Sequence, residues 1–115
     1  MFSDKSFQVI KGLADALVDR QGKLSHNLAN VGNENYVRKD VDFGRVLGDL
    51  KSNMPTMEKD NKGILNRATY TDNNKVSLES ELSKLYDNHV RYSLVVRSIN
   101  HHFDHIKKAL EVRAS

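Results

Sequence analysis

Residues 77–113 read SLESELSKLYDNHVRYSLVVRSINHHFDHIKKALEVR, and they contain neither proline nor glycine. One stripe recurs at alternating steps of four and three residues, the a/d spacing of a coiled-coil seam. Its members are Leu78, Leu82, Leu85, His89, Tyr92, Val96, Ile99, Phe103, Ile106, Leu110 and Arg113. The spacing predicts one uninterrupted helix over about residues 77–113, with this stripe turned toward a partner.

The predicted helix is longer than a compact domain made from the same chain. About 36 residues that rise about 1.5 Å each form a rod of about 54 Å. A compact globule of 115 residues has a radius of gyration of about 13 Å, and hence a diameter of about 35 Å. We therefore expect residues 1–115 to form a single elongated domain that lies against a partner.

Composition and charge exclude several classes of function. The chain has no cysteine, which excludes thiolate metal sites, a cysteine nucleophile and a disulfide framework. It contains no apolar run near the roughly 18 residues of a membrane span, and no cleaved signal peptide is expected. Basic residues outnumber acidic ones by four to three in residues 1–31, eight to seven in 32–76 and six to five in 77–115. No basic stripe results, so nucleic-acid binding is not expected.

A second amphipathic helix is predicted over about residues 4–30. Its apolar residues keep to one face. They are Phe7, Ile10, Leu13, Ala14, Leu17, Leu24, Leu28 and Val31. Gly12 and Gly22 each weaken the helix by up to about 1 kcal/mol relative to alanine, so it would be marginal alone. Packing against the 77–113 helix would bury both stripes, and we predict an antiparallel pair.

The middle segment, about residues 31–76, is predicted to be irregular. Its start, residues 30–36, is rich in asparagine and glycine and ends the first helix. Val37–Val41 is expected to be extended, and Asp42 to cap a short helix through Leu50.

The second half of the middle segment begins with a predicted loop at residues 52–63, which contains the only proline. Ile64–Leu65 and Ala68–Thr71 are candidate strands. The predicted fold class is therefore mainly α. Two long terminal helices pair as an antiparallel coiled-coil hairpin, with an irregular middle segment that carries short helix and strand pieces.

The histidines of the long helix are the one group that resembles a metal site. His101 and His105 lie four residues apart, a spacing that can hold Zn²⁺ or Ni²⁺ on a helix. A catalytic zinc needs a third protein ligand, and Asp104 is not placed to supply it. A solvated helix face is the preferred interpretation. His89, in the seam, is interpreted as a polar residue that sets register, with a pH switch as the alternative.

No pattern indicates catalysis. The sequence lacks a glycine-rich phosphate loop and a nucleophile elbow. Asp40 and Asp42 lie on one side of an extended segment, but such a pair is more often solvated than catalytic. The tyrosines and Phe43 lack the interleaved cations of a base-stacking platform, so we interpret them as packing residues. We expect neither enzyme activity nor a cofactor.

Two short motifs resemble a known family. Residues 24–30, LSHNLAN, precede a turn, Tyr36 and the segment Asp40-Val-Asp-Phe43. This order resembles the N-terminal signature of flagellar rod and hook proteins. Residues 73–79, NNKVSLE, resemble the second signature, which opens a C-terminal helix. The short length and small middle region are similar to flagellar basal-body rod proteins of the proximal-rod FlgB type.

The sequence departs from the family pattern in two places. Asn33-Glu34-Asn35 stands where the family usually has a Thr-Pro-Gly-like turn, and Asn35 can supply the left-handed conformation that glycine would provide. Ser77 replaces the usual aspartate, and either residue can cap a helix.

The resemblance implies a structural subunit of the bacterial flagellum. Subunits of this kind are exported unfolded by the flagellar type III apparatus. They pack their terminal helices into a helical tube that transmits torque in the periplasm-spanning rod. The partners implied are other rod subunits, the base or export gate of the basal body, and further copies of the same chain. Neither nucleic acid nor membrane insertion is implied.

Two sets of residues are expected to carry this function. The helix stripes form the predicted assembly interface: Leu13, Leu17, Leu24, Leu28, Leu82, Leu85, Val96, Ile99, Phe103 and Ile106. The family motif fixes the helix exit and a neighbouring contact through Asn27, Ala29, Asn30, Tyr36, Asp42, Phe43, Asn74 and Val76. Two alternatives stay open: a cytosolic coiled-coil adaptor that binds a partner helix, and a metal-binding or regulatory helical protein that uses His101 and His105.

Overall fold

The structure is a computed structural model that describes residues 4–52 and 61–114. Two long helices lie at the ends, α1 (Asp4–Ala29) and α4 (Leu78–Ala114). Between them, in chain order, are β1 (Arg38–Val41), α2 (Phe43–Ser52), α3 (Lys62–Ala68) and β2 (Thr69–Asp72). This arrangement confirms the predicted fold class of two long terminal helices around short middle elements.

The helices α1 and α4 lie side by side and run in opposite directions. Near the start of α1, the Phe7 ring stacks on His102 with the ring centroids 5.2 Å apart. Near its end, Asn27 Nδ2 lies 3.4 Å from Glu81 Oε2. Positions along α1 therefore rise as those along α4 fall, which confirms the predicted antiparallel pair.

The molecule is elongated, as the length of α4 requires. Its principal extents are 64 × 28 × 18 Å, and its radius of gyration is 17.3 Å. A compact chain of this length would have a radius of gyration of about 13 Å. None of the described helices is both long and apolar enough to cross a membrane.

The face of α4 that packs on α1 is rotated from the predicted stripe. The inward positions include Glu81, Asn88 and His102, all of which are buried. Leu82 is 49% exposed, so the prediction that it packs between the two helices is wrong. Phe103 is 53% exposed and keeps only an edge-on contact with Phe7. The reason is physical: polar side chains that contact neighbouring elements occupy the interface between α1 and α4. The spacing of apolar residues cannot predict which polar residues are buried there.

A hydrophobic core forms where the middle segment folds back on α1. It consists of Ala16, Val41, Val46, Leu50, Ile64 and Ala68. Leu13 and Phe43 are among the half-buried side chains packed against it. The middle segment thus contributes most of the core, because α2 packs on α1 and α3 packs on α2.

The short elements follow the predictions except at Ile64–Leu65 and at the ends of the predicted 52–63 loop, where Ser52 lies in α2 and Lys62 and Gly63 lie in α3. The extended segment at 37–41 is confirmed as β1, and the short helix after Asp42 is confirmed as α2. The candidate strand at Ile64–Leu65 is wrong, since both residues lie in α3. Ile64 and Ala68, four residues apart, are buried together, a spacing that suits a helix facing a core. Most of the predicted loop at 52–63 lies outside the described residues.

The strands pair antiparallel and bring the two halves of the middle segment together. The register sets Arg38 opposite Asp72 and Val41 opposite Thr69, which confirms an extended segment within Ala68–Thr71. Asp72 lies a few residues before α4. The hairpin therefore carries the chain from the core to the start of the long helix.

A glycine in α1 allows α2 to approach closely. A Cβ atom on Gly12 would lie 2.6 Å from Leu50 Cδ2, whereas one on Gly22 would meet nothing within 4 Å. Gly12→Ala is therefore expected to lower the free energy of unfolding by about 1 kcal/mol or more, because the gain in helix propensity is smaller than the cost of displacing a core leucine. Gly22→Ala, the matched control, should raise it by up to about 1 kcal/mol. Urea unfolding of both variants tests the contact, and equal stabilisation would contradict it.

Candidate assembly interface

Asn27 anchors the end of α1 to β1. Its Nδ2 donates a 2.8 Å hydrogen bond to the carbonyl oxygen of Lys39, and its Oδ1 accepts a 3.0 Å hydrogen bond from the N–H of the same residue. The side-chain amide thus pairs with both backbone groups of one strand residue, as a neighbouring strand would. Asn27 is fully buried, so its loss would leave these groups without their partner.

Tyr36 joins the turn after α1 to the same asparagine. Its hydroxyl donates a 2.8 Å hydrogen bond to Asn27 Oδ1. His26 Nδ1 lies 2.9 Å from the Tyr36 oxygen. Because the single hydroxyl proton is already used, His26 Nδ1 carries the proton and donates. Burial raises the pKa of Tyr36, and the nearby Glu81 carboxylate raises it further.

The turn at residues 33–35 closes through a side chain. The Asn35 N–H donates a 3.0 Å hydrogen bond to Asn33 Oδ1, which is the geometry of an Asx turn. No non-glycine residue in the described ranges has a positive φ. The expected left-handed conformation of Asn35 is therefore wrong, because the Asn33 side chain closes the turn instead.

A buried ion pair connects β1 to the start of α4. Arg38 Nε donates to Glu81 Oε1 at 2.6 Å, and Arg38 Nη2 lies 3.3 Å from the second carboxylate oxygen. Arg38 Nη1 donates to Asp72 Oδ2 at 2.8 Å. The Arg38 and Glu81 side chains are 3% and 1% exposed. Burial alone would lower the pKa of Arg38, but the hydrogen bonds that Arg38 donates to Glu81 and Asp72 outweigh burial and raise that pKa.

The ion pair extends into a network that reaches α1. Arg20 Nε donates a 2.8 Å hydrogen bond to Asp40 Oδ1, and Asp40 Oδ2 lies 3.4 Å from Arg38 Nη2. Burial raises the pKa of Asp40, yet the hydrogen bonds from Arg20 and the Val41 N–H outweigh burial, so the pKa is lowered overall. The pKa of Asp72 is also lowered, by the Asn74 N–H and by Arg38.

Sequence reasoning did not find this network. The prediction that Asp40 is solvated is wrong, because it is 3% exposed. A signal existed: in an extended β1, Arg38 and Asp40 face the same side, and opposite charges on one side of a strand indicate a paired cluster. Nothing in the sequence links Glu81 to Arg38, because the two residues are 43 positions apart and lie in different elements.

The other motif residues shape the local chain. Asp42 Oδ1 accepts a 3.2 Å hydrogen bond from the Arg45 N–H and so caps α2. The Arg20 guanidinium carbon lies 5.6 Å from the centre of the Phe43 ring, within reach of a cation–π contact. Val76 is buried just before α4. Phe43 thus contacts a residue of the ion network, and Val76 lies just before the helix that carries Glu81.

Three further motif residues lie at chain reversals. Asn30 Nδ2 donates a 2.8 Å hydrogen bond to the carbonyl oxygen of His26, closing the last turn of α1. The Asn74 N–H donates a 2.9 Å hydrogen bond to Asp72 Oδ1. Ala29, the last residue of α1, is exposed. The loops 31–36 and 73–76 together line a groove of about 460 Å³, so the two motif regions are neighbours in space.

The residues predicted for the assembly interface fall into two groups. Those in the inner group are buried or half-buried: Leu13, Leu17, Leu24, Leu28, Leu85, Val96, Ile99 and Ile106. The outer group consists of Leu82 and Phe103, which are exposed. The contribution of both groups to contacts between subunits stays a prediction.

Three histidines of α4 lie away from these contacts. His89, His101 and His105 are exposed, and the rings of His101 and His105 are 6.3 Å apart. Within residues 4–52 and 61–114, no group of three or more His, Cys, Asp or Glu side chains is placed to hold a metal ion.

These features define an elongated helical hairpin whose two motif regions are joined by a buried polar network. No protein-family model matches the chain. Among known proteins, the chain is similar to the flagellar basal body rod protein FlgB of Bacillus subtilis (strain 168), with 24% identity over 105 residues. The match covers 79% of this chain and 81% of that protein. It supports the resemblance to the FlgB type.

The ion network yields a prediction about stability. Glu81→Gln leaves the buried Arg38 guanidinium without its main counter-charge, and breaking such a pair costs about 3–5 kcal/mol. The double variant Arg38→Met with Glu81→Met removes both charges and should lose much less than Glu81→Gln alone. Urea unfolding of the three proteins tests this. Equal losses in the single and double variants would show that packing, and not the unpaired charge, sets the cost.

The lowered pKa values of Asp40 and Asp72 predict sensitivity to acid. Their folded-state pKa values lie below the ordinary value of about 3.9. At pH values between the folded-state and the ordinary pKa, the unfolded chain therefore binds more protons than the folded chain does. The stabilisation is fully present above the ordinary value and is lost as the pH falls through the folded-state values. Melting temperatures measured from pH 7 to about pH 3 should be level and then decline below about pH 4. Asp40→Asn should flatten the decline, and a level wild-type profile would contradict the prediction.

Proposed function

We propose that the chain is a structural subunit of the bacterial flagellar basal-body rod. Its function would be mechanical assembly, with neither catalysis nor a cofactor. The observation that carries the proposal is the junction of the two motif regions, where Asn27 and Arg38 both bind Glu81 at the start of α4. The similarity to FlgB, which is named as a rod protein, supports the same function.

The shape supports an assembly subunit over an enzyme. The molecule is 64 Å long, and α4 exposes leucines at Leu78, Leu82 and Leu94. A single soluble domain rarely leaves such a row in water, whereas a subunit of a larger structure covers it with a neighbour. Repeated contacts of one surface with a different surface of the next subunit generate an open helical assembly.

The finer parts of the proposal follow from the rod function. We propose that the chain acts as one elongated unit and leaves the cell through the flagellar type III apparatus. We propose further that it sits in the periplasm-spanning rod and contacts other rod subunits and the base or export gate of the basal body. Its role there would be to transmit torque.

A substitution on the exposed part of the predicted interface tests the proposal. Phe103→Asp, in a strain where the variant is the only copy, should abolish swimming and remove the protein from purified basal bodies. Burying an unpaired carboxylate at a subunit contact costs several kcal/mol. Val18→Asp is the control, because Val18 is similarly exposed but lies on α1 outside the predicted interface.

The outcomes separate the rod from the adaptor hypothesis. Circular dichroism of both variants should match the wild type, since both positions are exposed. Normal swimming with Phe103→Asp would contradict a contact at that position. Absence of the wild-type protein from purified basal bodies would contradict the rod function itself and favour the coiled-coil adaptor.

A further inference from the structure

The outer face of α4 has a symmetry that the inner face lacks. At about 100° per residue, the side of α4 opposite the buried Asn88 carries a seam with steps of four, three, four, three and four. Its members are Glu79, Ser83, Tyr86, Val90, Ser93 and Arg97, and it is flanked by Leu82 and Leu94. Of the described elements, only α1 packs extensively on α4, and it lies on the other side.

The seam is nearly a palindrome about position 88. Glu79 and Arg97 each lie nine residues from it, and Leu82 and Leu94 each lie six. The two serines lie at five residues on either side, and Tyr86 and Val90 at two. At equal distances on the two sides of position 88, the seam therefore has residues of opposite charge, of the same type, or of similar apolar character.

We propose that this face binds the same face of a second copy of the chain, with the two α4 helices antiparallel and crossing at the level of position 88. A two-fold axis there sets Glu79 of each copy opposite Arg97 of the other. Leu82 and Leu94 of both copies then border this contact on its two flanks. Every contact occurs twice, as in any isologous interface.

Charge selects this partner and this direction. Neither Glu79 nor Arg97 has an ion pair with another described residue, so both charges are available to a second copy. An antiparallel pair joins opposite charges at both ends of the seam, whereas a parallel pair would set Glu79 against Glu79 and Arg97 against Arg97. Like charges at such positions oppose pairing.

The exposed apolar surface gives the pair its driving force. Leu82, Tyr86 and Leu94 are 49%, 73% and 57% exposed. The seam spans about 27 Å of helix, which is short for a standard interface. The dimer is therefore reversible, with a dissociation constant in the micromolar range. A two-fold dimer is closed, so it covers this face of α4 in solution. The proposal of a dimer does not depend on the rod function.

Sedimentation equilibrium of the full chain over the micromolar range tests the dimer. Leu94→Ser should weaken it about tenfold or more, because two leucines leave the interface of each dimer. Leu110→Ser is the matched control: Leu110 is also a leucine on α4, is 60% exposed and lies beyond the seam. It should leave the dissociation constant unchanged.

The charge pairs give a second test with internal rescue. Glu79→Arg and Arg97→Glu should each weaken the dimer, and the double variant should restore it, because opposite charges again face each other. A wild-type protein that stays monomeric throughout, grows into larger oligomers, or dimerises equally in all these variants would overturn the proposal.

Cysteine pairing tests the direction of the helices. Since the chain has no cysteine, Ser83→Cys and Ser93→Cys each introduce a single thiol. Mixing the two variants under mild oxidation should yield mainly the mixed disulfide dimer, because Ser83 faces Ser93 of the second copy. Predominant crosslinking of each variant with itself would indicate a parallel pair and overturn the proposed geometry.

Discussion

The buried ion pair between Arg38 and Glu81 is the constraint on which the rest of the structure depends. Both side chains are removed from water, so each charge needs its partner at one place and in one orientation. A buried pair adds little net stability compared with apolar residues, but a wrong arrangement of it is costly. Glu81 lies one turn into α4, and Arg38 lies in β1. Their contact therefore fixes the rotation and the register of the long helix on α1 and explains why polar side chains occupy the helix interface. Asn88 acts in the same way further along, where its Nδ2 donates to the carbonyl oxygen of Leu17.

This constraint concentrates order at one end of the molecule. The hairpin and the ion network lie beside the second half of α1 and the start of α4, and the hydrophobic core adjoins them around Leu13 and Ala16 near the middle of α1. The opposite end holds far less, with Phe7 stacked on His102 and with Leu110 largely exposed. Regions with few buried apolar contacts open at lower free energy than the core. The helix ends away from the junction are therefore the part of the chain that gains most from a neighbouring molecule.

The sequence predicted the long elements well because their signals are local. Apolar spacing and the lack of proline and glycine determine α4 whatever it packs against. The rotation of its packed face could not be predicted, because Glu81 and His102 are buried through partners that are distant in the chain. The helix at Ile64 was mistaken for a strand since a short apolar run fits either period. Asp40 was placed in solvent because its partner, Arg20, lies in another element. The motif residues were named from a resemblance. Only the geometry shows that the Asn27 side-chain amide pairs with the backbone N–H and carbonyl oxygen of Lys39.

One helix thus presents two seams with different chemistry. The inner seam, the side of α4 that faces α1, contains the buried residues Glu81, Asn88 and His102. Their contacts form in only one alignment of the two helices, which a single chain provides. The outer seam carries exposed leucines and two charges, Glu79 and Arg97, that form no ion pair within residues 4–52 and 61–114. More than one kind of neighbour can cover a surface of this kind. Leu82 shows the consequence: the apolar spacing that places it in a heptad is real, but the partner that the spacing requires is not α1. A heptad pattern therefore indicates that a helix packs against a partner. The buried polar residues determine which face of the helix packs within its own chain.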